Sequence, residues 1–191
     1  MDTGSLISRL LRVIRFDASV FREVAADANA LPQALVVVVA AAVLSGLGNF
    51  GQLSTQSITG VLVLVVLGIV GSLVGYGLYA GVAAILARSL FQGKTDFQEM
   101  ARTLGFAYVW NAAGILNIIP CLGGVFVLIG GLVAIVAGVI ALRESAEFDT
   151  TKAVITAVVA GLVAAFATFC ATAIVGGPIL LMLGAASGAG Q

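Results

Sequence analysis

The sequence predicts an all-α, polytopic membrane protein with five transmembrane helices and an N-terminal amphipathic interfacial helix. Three observations predict it. Of 191 residues, 61% are hydrophobic and only 9% are charged, against roughly 25% in soluble domains. Mean hydropathy is +1.17. The charges fall into three clusters, at residues 2–27, 88–102 and 143–152, separated by charge-free tracts at 28–87, 103–142 and 153–191. Nine basic and nine acidic side chains cannot cover a soluble molecule of this size, and their zero balance gives a nucleic acid nothing to bind.

Residues 1–32 form a cytoplasmic segment. They lack the apolar core and small-residue cleavage site of a signal peptide, so none is expected. Leu6, Leu10 and Ile14 follow helical spacing, with Arg9, Arg12 and Arg15 opposite. This pattern predicts a membrane-surface helix that buries leucines and offers arginines to anionic lipid. Asp17 falls on the apolar stripe, so a break is expected near 16–19, followed by a short second helix through Phe21 and Val24. A partner-binding or curvature-sensing role for the segment is the alternative use.

The membrane domain is expected at 33–183, with 184–191 as a flexible tail. A helix needs roughly 20 apolar residues to cross. Polar residues at 49–57 divide the first tract into spans at about 33–50 and 58–88. Pro32 suits a first helical turn. Pro120, Gly123 and Gly124 divide the second tract into spans at about 100–119 and 123–142. The last tract gives a fifth span at about 152–175, ended by Gly176-Gly177-Pro178. Every Lys and Arg then lies on one side, which the positive-inside rule makes cytoplasmic. The expected topology is N-inside, C-outside.

Span two carries the GxxxG pairs Gly71/Gly75 and Gly77/Gly81. These serve close helix packing within one bundle, or a homo-oligomer. Span three carries Tyr108 and Asn111, intramembrane polar side chains that act as interhelical glue or line a cavity with Thr103. Tyr76 and Tyr79 are candidate partners for them. Cys121 and Cys170 fall near the same outer face, as buried thiols or as a disulfide.

No enzymatic activity, cofactor or metal is expected. The chain has no His, no charged residue in the tracts between and after the three charge clusters, and no phosphate-cradling or zinc-binding motif. The candidate recognition residues are therefore in the cytoplasmic loops: Phe97, Glu99 and Arg102 in the first, and Arg143, Glu144 and Lys152 in the second. The competing use of such charges is to set topology and pair with each other.

Several short motifs coincide in these loops and their flanks. They are Phe97, Leu104-Gly105-Phe106-Ala107, Pro120 with Gly123, Ala141-Leu142-Arg143-Glu144, and Thr151-Lys152-Ala153, with Phe21 and Pro32 ahead of them. Together they resemble the Yip family of five-span membrane proteins, over about residues 15–176. The resemblance implies a scaffold, adaptor or membrane-organising factor that acts through its cytoplasmic loops on a protein partner. Eukaryotic members are associated with Rab-type GTPases and with traffic between endoplasmic reticulum and Golgi. With about thirty residues ahead of span one, this chain is more similar to the short prokaryotic members. Its Ala, Val, Gly and Arg bias, with only Lys94 and Lys152 as lysines, also suits a GC-rich bacterium, so a bacterial plasma membrane is expected, with endoplasmic reticulum or Golgi membrane as the alternative. A passive pore, or an accessory transporter subunit with a polar face on span three, is the expectation from another functional class.

Overall fold

The computed structural model describes residues 3–49, 58–93, 95–119, 121–171, 173–174 and 177–178. The expected outer loop at 50–57 and tail beyond 178 lie outside these residues. Among the described residues all regular structure is helical: α1 (Thr3–Ile14), α2 (Ser19–Ala26), α3 (Leu31–Gly48), α4 (Ile58–Phe91), α5 (Phe97–Ala107), a 3-10 segment (Tyr108–Ile118), α6 (Gly123–Ser145) and α7 (Thr150–Ala171).

Local chemistry sets the ends. Phe16, at φ 57°, closes α1: its N–H donates to the Val13 carbonyl and the Asp17 N–H to that of Arg12. Glu147, at φ 54°, closes α6 in the same way, with the Phe148 N–H on the Arg143 carbonyl. The Asp17 carboxylate accepts from the Ser19 N–H at 3.0 Å and so opens α2. Asp96 and Glu99 form a reciprocal capping box at the start of α5. Pro32 sits in the first turn of α3, where its missing donor costs nothing.

Among the described residues, four helices are long and apolar enough to cross a membrane: Ala28–Gly48, Val65–Phe91, Gly123–Ser145 and Thr150–Ala171. Their outward faces carry large apolar side chains, among them Ile85, Leu128, Ile135, Leu162 and Phe166. Their inward faces are built largely of alanine: Ala80, Ala83, Ala84 and Ala87 in α4, Ala137 and Ala141 in α6, and Ala153, Ala157, Ala160 and Ala164 in α7. Large side chains outside and small ones inside suit lipid as solvent, because small residues let backbones approach closely. The protein is an integral membrane protein.

The expected third span, one continuous helix at about 100–119, is not what the structure shows. The α-helix starts at Phe97 and stops at Ala107, and the chain continues as eleven residues of 3-10 helix. Side chains account for the change. The Ser45 hydroxyl donates to the Asn111 carbonyl at 2.6 Å, and the Asn111 amide donates to the Tyr108 carbonyl at 3.3 Å. Those carbonyls are acceptors that an α-helical ladder would use. The backbones also touch: a Cβ on Gly48 would lie 2.0 Å from the Gly114 oxygen. Helix ends shift as well, to Phe91 in α4 and Ser145 in α6.

The α5/3-10 element occupies the middle of the bundle, against α3, α4 and α6. Helix α7 packs on α4 and α6. Tyr79 joins these three: its hydroxyl lies 3.4 Å from a Cβ built on Gly138, and its ring 3.9 Å from one on Gly161.

Candidate functional site

The charged end of the bundle is a folded cap. Helix α2 lies across α5 and α6, with Val20, Phe21 and Val24 buried beneath it. Arg22 Nε donates to Glu144 Oε2 at 2.5 Å, and Arg143 Nη2 donates to Glu144 Oε1 at 2.7 Å. The Glu144 side chain is 5% exposed while Arg22 is 71% exposed, so a buried carboxylate holds two outward cations. Arg22, Arg143, Glu144, Glu147 and Phe148 line a recess of about 370 Å³ there. Arg102 is buried and its Nη2 donates to the Ala25 carbonyl at 2.6 Å, at the end of α2 where a cation suits the helix dipole.

The N-terminal arginines are also engaged. Arg9 bonds Glu23 at 2.9 Å, Asp27 at 2.8 Å and the Gln33 side-chain oxygen at 2.9 Å. Arg12 bonds Asp17 at 2.9 Å, Glu23 at 2.5 Å and the Ser19 hydroxyl at 2.8 Å. The Ser19 hydroxyl and then the Arg12 guanidinium hold the Asp17 carboxyl at about 2. Arg12 and Arg9 lower that of Glu23, and Arg9 with the Asn29 N–H lowers that of Asp27.

These contacts place the N-terminal helix against the bundle. Leu6, Leu10 and Val13 turn inward to the core, while Ile7, Leu11 and Ile14 are exposed. Helix α1 thus packs one apolar face on the bundle and leaves a second outward. Of the arginines expected to meet lipid, Arg9 and Arg12 are held in ion pairs, and Arg15 is exposed.

The six loop residues do not form one accessible patch. Phe97 is exposed and its ring lies 3.8 Å from a Cβ built on Gly81. Glu99 is spent on the capping box. Arg102 and Glu144 are buried, so neither is free to meet a partner. Arg143 remains partly exposed. Lys152 is half-buried in the first turn of α7, where its N–H donates to Asp149. Sequence reasoning missed Arg22 and Glu147, which join Arg143 only because α2 folds over. It also missed the capping box, although Asp96-Phe97-Gln98-Glu99 carries the spacing.

The opposite end has a polar seam. A 3-10 helix turns three residues per turn, so Tyr108, Asn111, Gly114 and Asn117 fall in one straight row. Gly114 faces Ser45, and the Asn117 amide donates to the Asn49 oxygen at 2.6 Å. Tyr108 packs edge-on against Tyr76, with ring centroids 6.2 Å apart. The Tyr76 hydroxyl donates to the Ala101 carbonyl, so it does not serve Asn111. Thr103 is fully buried and bonds carbonyls of its own helix. Tyr108, Asn111 and Thr103 therefore do not line a common cavity. Of the oligomerisation glycines, Gly75 meets Thr168 and Gly81 meets Phe97, while Gly71 and Gly77 have open space. Cys121 is exposed and Cys170 half-buried, both as free thiols.

No curated protein and no solved structure matches the chain. The family model of the Yip1 domain matches residues 11–172, from within α1 through the whole bundle. A multi-pass helical bundle with its charges gathered into one cap is thus a Yip1 domain, and the chain belongs to the Yip family.

Proposed function

We propose that this Yip-family protein is a non-enzymatic membrane adaptor whose capped, charged end receives a cytosolic protein partner. The observation that carries the reading is the recess between α2 and the end of α6. Buried Glu144 there presents Arg22 and Arg143, with Glu147 beside them. Most other charges of the N-terminal segment are consumed within the cap. The partner's complementary surface is one that pairs with two guanidiniums and a carboxylate.

Five crossings accompany this reading, with N-inside and C-outside topology in a bacterial plasma membrane. The α5/3-10 element supplies the crossing beyond the four long helices. Its 22 residues rise about 38 Å, more than the roughly 30 Å of hydrocarbon. Orientation is tested at Cys121 in a Cys170→Ser background. A membrane-impermeant maleimide should label right-side-out vesicles and spare inverted ones; the reverse pattern would overturn the orientation. The adaptor role is tested with a photo-crosslinker at exposed Ala26, one turn beyond Arg22 on α2, and, as control, at lipid-facing Leu128. A discrete protein adduct at 26 that disappears with Arg22→Glu is expected. No adduct at 26, or the same adduct at 128, would sink the reading.

A further inference from the structure

Helix α1 has a wider apolar arc than the bundle covers. At about 100° per residue, its large apolar side chains fill about 160° of the helix. Leu6, Leu10 and Val13 take the inner part of that arc, against the core. Ile7, Leu11 and Ile14 take the outer part and are exposed. The polar side is turned to α2 and its flanks, where Arg9 bonds Glu23 and Asp27 and Arg12 bonds Glu23 and Ser19. A helix that meets water puts its charges opposite the core. Here the charges are paired along one flank, and the outward stripe is apolar.

The stripe continues past the helix end to Phe16, which is also exposed. The Phe16 ring stacks on Trp110, with centroids 5.5 Å apart and planes 15° from parallel. Trp110 belongs to the 3-10 segment and adjoins Asn111, whose carbonyl accepts from Ser45 of the membrane-crossing helix α3. The stripe therefore runs from the charged cap into the membrane-crossing part of the bundle. Polar groups along it are satisfied within the cap. The Ser8 hydroxyl donates to the Ser5 carbonyl at 2.9 Å, and Asp17 accepts from Arg12 and Ser19. An apolar neighbour demands such pairing. Arg15 is exposed at the edge, and its long stem can lie along the stripe with the charge in water.

We propose that α1 is shared between the bundle and the bilayer, with Ile7, Leu11, Ile14 and Phe16 seated in the acyl–headgroup boundary of the adjoining leaflet. Lipid is the occupant because the stripe is continuous with a membrane-crossing surface. The contact is apolar: Arg9 and Arg12 are spent within the cap, so the seat does not depend on anionic headgroups. The stripe is on a different helix from those that line the adaptor recess, and either proposal survives the failure of the other.

The test places a nitroxide at Leu11→Cys in the full chain with Cys121→Ser and Cys170→Ser, one chain per phosphatidylcholine nanodisc. Collisions with oxygen, which partitions into lipid, are compared with collisions with a water-soluble nickel chelate. Labels at lipid-facing Leu128 and at exposed Ala26 on α2 give the two reference environments. Position 11 should favour oxygen, as expected about 5–10 Å into the boundary, and phosphatidylserine should leave its ratio unchanged. Nickel access equal to that at 26 would show a stripe in water. Shielding from both reagents would show a stripe covered by protein. A shift into lipid that requires phosphatidylserine would show that charge seats the helix. Each of these results overturns the proposal. An independent measurement is amide exchange of residues 7–14 in nanodiscs. The double variant Ile7→Gln/Leu11→Gln should accelerate it about ten- to hundredfold while the α7 amides stay unchanged. An acceleration of no more than about fivefold, the range of ordinary surface substitutions, would also overturn it.

Discussion

Replacing Phe21 by alanine should release α2 from the bundle while leaving the membrane helices folded. Phe21 is 1% exposed beneath α2. A buried Phe→Ala change costs about 3–5 kcal/mol, the lost transfer energy plus a cavity. The salt bridge one residue on is the competing anchor. Arg22 is 71% exposed, and Glu144 keeps Arg143 when Arg22 is lost. Arg22→Ala should therefore cost at most about 1 kcal/mol. Hydrogen exchange in nanodiscs separates the two. With about 1.4 kcal/mol per decade, Phe21→Ala should accelerate the amides of residues 22–26 by about two to three and a half orders of magnitude, or until they reach the unprotected rate. Arg22→Ala should accelerate them about fivefold at most. The α7 amides should not change in either variant. If Arg22→Ala opens α2 as far as Phe21→Ala does, charge rather than burial holds the cap and the reasoning fails.

Acid should loosen the same cap over a defined window. Asp17, at about 2, and Glu23 and Asp27 all lie below their ordinary values in the folded protein. Their stabilisation is complete above the usual carboxylate range near 4 and is lost as pH falls through the folded values. Trp110 stacks on Phe16 at 5.5 Å, so its emission should be flat from pH 7 to 5 and change between about 4 and 2. A transition centred near pH 6 would show that other groups control docking. At the seam, Gly48→Ala should cost about 1–3 kcal/mol, because its Cβ meets backbone atoms of Gly114 and Ile115. Gly71→Ala, which faces open space, should not lower the melting midpoint. Equal melting of the two variants in detergent would mean that the seam is looser than the contacts imply.

The membrane class was legible because lipid imposes a pattern on every span, and the charge clusters carry that pattern without reference to tertiary contacts. The break before α2 was legible for a similar reason, since Asp17 interrupts an apolar stripe locally. The fate of Arg102 was not. Its partner, the Ala25 carbonyl, is 77 residues away and arrives only when α2 folds back. The 3-10 segment was hidden likewise. Its residues are compatible with α-helix, and the Ser45 hydroxyl that takes the Asn111 carbonyl comes from 66 residues earlier. The glycines tell the same story in reverse. Small-residue spacing drew attention to Gly75 and Gly130, which do meet neighbours, and to Gly71 and Gly77, which have open space, whereas the close approaches at Gly48, Gly105 and Gly114 lie outside any such spacing.

The winding of the 3-10 segment also fixes the unit in which this crossing can change length. From Tyr108 to Asn117 an α-helix would rotate by about 900°, leaving the two on opposite faces, whereas three-fold winding brings them back into line. One inserted residue would swing everything beyond it by about 120° and carry Asn117 away from Asn49. Three inserted residues would restore the phase and lengthen the element by about 6 Å. Insertions and deletions between residues 109 and 116 should accordingly be tolerated in threes, where an ordinary transmembrane α-helix tolerates them best in threes and fours together.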